Sequence, residues 1–273
     1  GFEMRIPPPP DDVQGDFHII GHTNEGNPIE KYDYSLGYFD ITSKYLSHKE
    51  LNMIMNHNYK TKTNWLVNKL SPNKIKHEYK ETQFHFDANL FNIKDGTDIA
   101  GYFQSEKYFS HCSDDIRREF SVKKQYFKEA DIKLQKYKSI SDQIISAHVR
   151  RAGHELPEQQ HVHKYPGKTY YHNAMDYFRT NLSNPLFLFF SDDIDWCKSR
   201  FIAKNIFFSD NNSSIIDFTM MSKCDHNIIA PSSFSWWASW LNNNVNKIII
   251  APGGDLFGPL GPRDTYDFYP RNT

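Results

Sequence analysis

The chain has 273 residues, with 32 Lys+Arg against 33 Asp+Glu and a formal net charge of -1. That balance argues against a nucleic-acid-binding surface, which needs an excess of basic side chains. The length suffices for one large domain or two small ones, each with a real core. Three cysteines, Cys112, Cys197 and Cys224, are odd in number and widely spaced. They form no disulfide framework, and a reducing compartment is the default reading. No run approaches the roughly 20 apolar residues of a membrane span and no leader pattern is visible. A cytoplasmic location is therefore expected by default, and Gly1 leaves room for a leader or anchor removed by processing.

In chain order, Pro7 to Pro10 read as an extended arm. Phe17 to Gly21 is a predicted strand, and residues 45–70 are helix-compatible until Ser71-Pro72-Asn73 breaks them. Phe84 to Asp87 and the segment ending at Gly101 to Gln104 are predicted strands. Helices are predicted over Asp114 to Lys123 and Tyr126 to Tyr137, the latter with Ala130, Leu134 and Tyr137 on one face. The second half alternates regularly. Predicted strands at Ile144–Val149, Leu186–Phe190, Ile206–Phe208, Asn227–Ala230 and Lys247–Ala251 are separated by predicted helices. Those helices are Tyr170–Asn181, with Tyr170, Ala174, Tyr177 and Phe178 on one face, Asp195–Phe201, Ser214–Ser222 and Ser233–Leu241. Such alternation predicts an α/β fold with a doubly wound parallel sheet, whose ligands bind beyond the carboxyl ends of the strands.

The notable motifs fall at those ends. His148-Val149-Arg150-Arg151 closes the first strand of the second half. A guanidinium fork fits phosphate oxygens in a bidentate way that lysine cannot match. Ser232-Ser233-Phe234-Ser235 joins a strand to a helix, which puts hydroxyls and helix N-terminal amides together. An ordinary serine cap would look the same taken alone. Asp217, among apolar neighbours, can read a guanine edge or stabilise a helix dipole. Ser191-Asp192-Asp193 is either an acidic metal motif or a turn with a helix cap, and the turn is favoured. His154, His161, His163 and His172 match no zinc spacing, and no G-x-G-x-x-G or Walker A pattern occurs. Trp236, Trp237 and Trp240 are expected in the core. Asn181-Leu182-Ser183 and Asn212-Ser213-Ser214 match the glycosylation pattern, which in an Asn-rich chain is expected by chance.

Together these segments resemble the α-1,2-fucosyltransferases of glycosyltransferase family 11, which are related to the α-1,6-fucosyltransferases. The resemblance lies in His148 to Arg151, Phe190 to Asp193 with Trp196-Cys197, Asp217 to Cys224 and Ile228 to Leu241. Gly101 to Phe109 and Gly261 to Thr265 are also similar to that family, so the likeness spans roughly residues 100–270. It implies a GT-B-like architecture of two Rossmann-like halves. Residues 1–140 would then form an acceptor-side domain, incomplete or divergent, and 141–273 the donor domain. It further implies GDP-β-L-fucose as donor, inversion at the anomeric carbon, a glycan acceptor, no cofactor and no obligatory metal. By that resemblance Arg150 holds the β-phosphate, with His148 and Arg151 shaping the site. Asp217 reads guanine, and Ser232, Ser233, Phe234 and Ser235 wrap the diphosphate.

Two features depart from the family pattern. Its Gly-rich opening segment has no counterpart here. Where it places Gly-Asp-Tyr after the arginines, this chain has Ala152-Gly153-His154. The α-1,6 enzymes place a catalytic glutamate eight residues beyond the first arginine, a position held here by Glu158. His154 and Glu155 are rival bases. The alternatives are a GDP- or glycan-binding module without catalysis, or a transferase of another linkage or sugar nucleotide. The oligomeric state and the acceptor stay open.

Overall fold

The computed structural model describes residues 18–22, 28–33, 35–42, 77–82, 85–94, 97–151, 165–253 and 267–269. The Pro-rich arm, the helix-compatible segment 45–70, the Ala152 to Gln160 stretch and Gly261 to Thr265 lie outside them. The chain divides into two compact units, Gly1–Phe103 with Lys107–Ser121, and Gln104–Glu106 with Val122–Thr273.

In the first unit β1 (His18–His22) pairs antiparallel with β2 (Pro28–Asp33). β3 (His77–Lys80) pairs parallel with β4 (Thr97–Ala100), and α1 spans Ser113–Glu119. The strand expected at Phe84 to Asp87 is replaced, over its described residues, by the lead into a 3-10 turn at Ala88–Asn92. Asp87 is the reason. Its carboxylate accepts the amide of Asn89 at 2.9 Å and the Tyr79 hydroxyl at 2.7 Å. An Asp that bonds its own downstream backbone competes with a strand ladder.

The second unit is built on one five-stranded parallel sheet. Its strands are β5 (Ile144–Val149), β6 (Leu186–Ser191), β7 (Ile206–Phe208), β8 (His226–Ile228) and β9 (Ile249–Ile250), in the order β7-β6-β5-β8-β9. The helices are α2 (Lys124–Lys138), α3 (Lys168–Asn181), α4 (Ile194–Arg200), α5 (Ser214–Ser222) and α6 (Ser233–Leu241). The α/β class with a parallel sheet is therefore as expected. β5 is buried along its whole length and β6 up to Phe190, as befits strands covered by helices on both faces. Among the described residues no helix is long and apolar enough to cross a membrane.

α2 buries Ala130, Leu134 and Tyr137, the face expected from spacing. α3 differs. It buries Tyr171, Ala174, Met175 and Phe178, while Tyr177 is 45% exposed. Tyr170 sits at the rim, because a phenol seeks a polar partner for its hydroxyl. That hydroxyl lies 2.7 Å from the Ile229 carbonyl and 2.8 Å from the Ile250 carbonyl. The Tyr171 hydroxyl donates to the His148 carbonyl at 2.9 Å. Two adjacent tyrosines thus pin the carboxyl ends of β5, β8 and β9. Gly167, just before α3, has φ +85°, a conformation that favours glycine.

At the opposite end of the sheet, His226 Nδ1 accepts the Ile248 amide at 3.0 Å. Its Nε2 then carries the proton and donates to Gln143 Oε1 at 3.1 Å. Burial lowers the His226 pKa below its usual 6.5, against the opposing pull of Asp225. A depressed histidine contributes stability above its unfolded value, and loses it as pH falls through 6.5 toward the folded value. Urea midpoints measured from pH 7.5 to 5 should therefore fall on the acid side, and less steeply in His226→Gln. Parallel profiles for the two proteins would refute the assignment.

Candidate functional site

The order of the strands places a crevice where sheet growth reverses, between the carboxyl ends of β5 and β8. Both sequence motifs emerge there. The His148 ring, at the end of β5, lies 5.5 Å from the Phe234 ring in the first turn of α6. Phe234 in turn meets Phe218 of α5 edge-on at 5.4 Å. Arginine motif, serine motif and the Asp217 helix are thus joined through three aromatic rings in tilted and edge-on contact.

The two arginines separate in role. Arg150 keeps 37% of its side chain exposed, with Nη1 3.0 Å from Asp192 Oδ2. Arg151 is only 8% exposed. Its Nε lies 3.1 Å from Asp193 Oδ2, its guanidinium carbon stands 3.8 Å above the Trp196 ring, and its amide donates to Asp192 Oδ1 at 2.9 Å. Asp193 also caps α4 by accepting the Trp196 amide at 3.1 Å. Ser191-Asp192-Asp193 is therefore a strand-end turn and helix cap whose carboxylates engage the arginines. Among the described residues no group of three or more His, Cys, Asp or Glu could hold a metal ion. Arg151→Ala should cost about 2 kcal/mol of stability, since it removes a desolvated cation–π contact and a partly buried ion pair together. Arg151→Lys should recover little of it, because an ammonium cannot stack and fork at once. Denaturant titration of the two variants checks this.

The serine motif also divides. Ser232 Oγ accepts the Phe234 amide at 3.3 Å and caps α6. Ser235 is fully buried, and its hydroxyl holds the turn by accepting the Ala230 amide at 3.2 Å while lying 3.3 Å from the Ala230 and Ser232 carbonyls. Ser233 is exposed, at the end of the helix where first-turn amides have no intrahelical acceptor. α6 itself is anchored by Trp236 Nε1 donating to the Phe268 carbonyl at 2.8 Å and by Trp240 Nε1 donating to Glu106 at 3.3 Å. Trp236 and Trp240 are core residues, and Trp237 is half-buried.

Asp217 lies in the first turn of α5. Burial raises its carboxyl pKa above the usual range, opposed by hydrogen bonds from Ser209 and Asn212. Those bonds run from Ser209 Oγ at 2.6 Å and Asn212 Nδ2 at 3.1 Å. The Asn212 amide nitrogen is turned inward, onto Ser209 and Asp217. Glu158, Glu155 and His154 lie outside the described residues.

Sequence reading missed Asp192 as the partner of Arg150, Trp196 as the platform for Arg151, and Tyr170 and Tyr171 as latches on the strand ends. The acidic pair one strand over from the arginines was the only available signal. Spacing along a chain does not show which carboxylate meets which guanidinium.

A parallel sheet with ordered cationic and amide groups at its switch point defines an α/β domain suited to a nucleotide diphosphate. The match to Glycosyl transferase family 11 over residues 36–254 identifies it further, and the chain belongs to that family. It is 33% identical over 174 residues to the alpha-1,2-colitosyltransferase of Escherichia coli, covering 59% of this chain and 57% of that protein. It is 31% identical over 170 residues to the O-antigen biosynthesis glycosyltransferase WbnK of Escherichia coli, covering 59% and 55%. To the galactoside alpha-(1,2)-fucosyltransferase 1 of Homo sapiens it is 25% identical over 154 residues, covering 52% and 42%. The chain thus spans about half the length of the curated relatives it matches. Among solved structures, POFUT1 in complex with GDP aligns at a TM-score of 0.44 and 9% identity over 87% of this chain and 88% of that one. NodZ alpha-1,6-fucosyltransferase with GDP aligns at 0.36 and 18% over 55% and 54%. Likeness at that level carries no argument about this chain.

Proposed function

We propose that the second unit binds GDP-β-L-fucose and that the protein is an inverting glycosyltransferase, moving L-fucose to a glycan hydroxyl, α-1,2 to galactose. The observation that carries this reading is Arg150. It is the more accessible arginine of the pair, and it follows by two residues His148, whose ring packs against Phe234 in the first turn of α6, in a family 11 chain. In the proposed reaction the acceptor oxygen attacks the anomeric carbon as the bond to the β-phosphate oxygen breaks, and GDP leaves with the electron pair. Arg150 and the first-turn amides at Ser233 offset the charge that builds on the diphosphate. His148 and Phe234 wall the site, and Ser232 and Ser235 hold the turn that aims those amides. Asp217 reads the base.

The acceptor proton goes to a general base, for which Glu158 is the proposed residue by its spacing from Arg150. Positioned bases contribute about 10²–10⁴-fold. Glu158→Gln should lower kcat at least a hundredfold with donor binding unchanged, and a normal kcat would remove this assignment alone. The Escherichia coli relative named as a colitosyltransferase supports a second reading of the transferred sugar. A transfer assay on galactosides with GDP-fucose, GDP-colitose, GDP-mannose and UDP-galactose tests both, with EDTA expected to leave the rate unchanged. Preference for GDP-colitose would replace fucose in the scheme. GDP binding without turnover on any donor would favour a module without catalysis.

A further inference from the structure

The loop from β7 to α5 wraps the Asp217 carboxylate in a specific way. Ser209, directly after β7, is buried and fixed by its own amide, which donates to the Phe189 carbonyl at 2.8 Å. Its hydroxyl donates to Asp217 Oδ1 at 2.6 Å. Asn211 turns the chain in the left-handed region, φ +55°, and this brings Asn212 back over the same carboxylate. Asn212 Nδ2 lies 2.7 Å from Ser209 Oγ and 3.1 Å from Asp217 Oδ1. The amide orientation follows from the network, since the flipped form would set its oxygen against the carboxylate. Both donors therefore converge on Oδ1, and among the described residues no hydrogen bond engages the second carboxylate oxygen.

A further observation points to a ligand. Asn212 Oδ1 is buried and, among the described residues, has no hydrogen-bond partner. A buried acceptor without a donor is costly and is rare in folded proteins. The cluster thus offers a carboxylate oxygen and an amide oxygen, both of them acceptors. Two acceptors repel phosphate and call for neighbouring N–H donors. Among nucleobases, guanine presents adjacent donors at N1 and N2. Adenine sets an acceptor beside its amino group, and uracil flanks its N–H with carbonyls.

We infer that Ser209 and Asn212 are positioning residues that clamp Asp217 for base reading, and that this clamp sets the preference for a guanine nucleotide. The inference rests on the donor reading above. Holding one oxygen with two donors keeps the buried carboxylate charged and aims the other oxygen. Lys133 of α2 supports that charge and Asp210 of the same loop opposes it.

Calorimetry on the full chain with GDP, IDP and ADP tests the inference. IDP lacks the N2 amino group. The wild type should prefer GDP over IDP, and IDP over ADP. Ser209→Ala and Asn212→Ala should each weaken GDP by about tenfold and compress the GDP-to-IDP ratio. Each should also raise the pH at which GDP affinity falls off, and Ser209→Thr should restore the ratio. Arg150→Ala should weaken all three nucleotides alike and keep the ratio. Folded Ser209→Ala and Asn212→Ala proteins with the wild-type ratio and pH profile would overturn the clamp. A wild-type ratio in Asp217→Asn would overturn base reading by Asp217 itself, and a wild type with no preference for GDP would overturn the donor reading beneath both.

Discussion

Arg150→Ala is expected to lower kcat/KM for donor by 10²–10³ while leaving stability within about 0.5 kcal/mol of the wild type. The two effects separate because of what Arg150 touches. Its ion pair with Asp192 belongs to a side chain that is 37% exposed. Pairs in that setting contribute roughly 0–1 kcal/mol. In the transition state the same guanidinium would face a leaving diphosphate in a site with less water, where one preorganised donor is worth about 3–4 kcal/mol. Arg150→Lys should recover only part of the rate, since a point charge cannot fork two oxygens. Steady-state transfer rates alongside urea denaturation decide the matter. Near-normal turnover in the alanine variant sinks the proposed scheme, and a large loss of stability would mean that Arg150 serves the fold as Arg151 does.

Asp217→Asn should move stability and binding in opposite directions. Burial raises the Asp217 pKa above its usual 3.8. A carboxyl with a raised folded pKa gives its full contribution to stability below the unfolded value, and loses it as pH rises through the folded value. At neutral pH the ionised group therefore costs the ligand-free protein. Asparagine keeps an oxygen for Ser209 and Asn212 without that charge. Asp217→Asn should be at least as stable as the wild type at pH 7, with its advantage fading toward pH 4. GDP binding should weaken by about 10–100-fold, the worth of hydrogen bonds to a charged acceptor. A variant that is less stable at pH 7 and binds GDP normally would show Asp217 to be a structural residue.

Arg151 and Arg150 are neighbours in sequence with unlike fates, and the difference lies in what each side chain meets beyond the end of β5. Arg151 is buried over Trp196 and against Asp193 at the start of α4, whereas Arg150 pairs with Asp192 and stays 37% exposed. The motif was legible as a pair of cations at a strand end. The division of labour within it was not, because Trp196 and the two aspartates sit more than forty residues away and come into contact only through the pairing of β5 with β6.

The same division runs through the whole chain. Local pattern determined the elements: apolar runs became β5 and β6, the i, i+4, i+7 spacing became α2, and Ser232 stopped one segment and began another. Sequence also placed the arginine, serine and aspartate motifs at strand ends, since the alternation of strands and helices leaves no other position for them. Tertiary structure decided which face of α3 is buried, which of Ser232 to Ser235 looks outward, and which oxygen of Asp217 is already engaged. Those outcomes depend on partners distant in sequence, and on the requirement that every buried polar group find one. Asp87 shows the limit from the other side, as its bond to Asn89 competes with the strand read at Phe84 to Asp87.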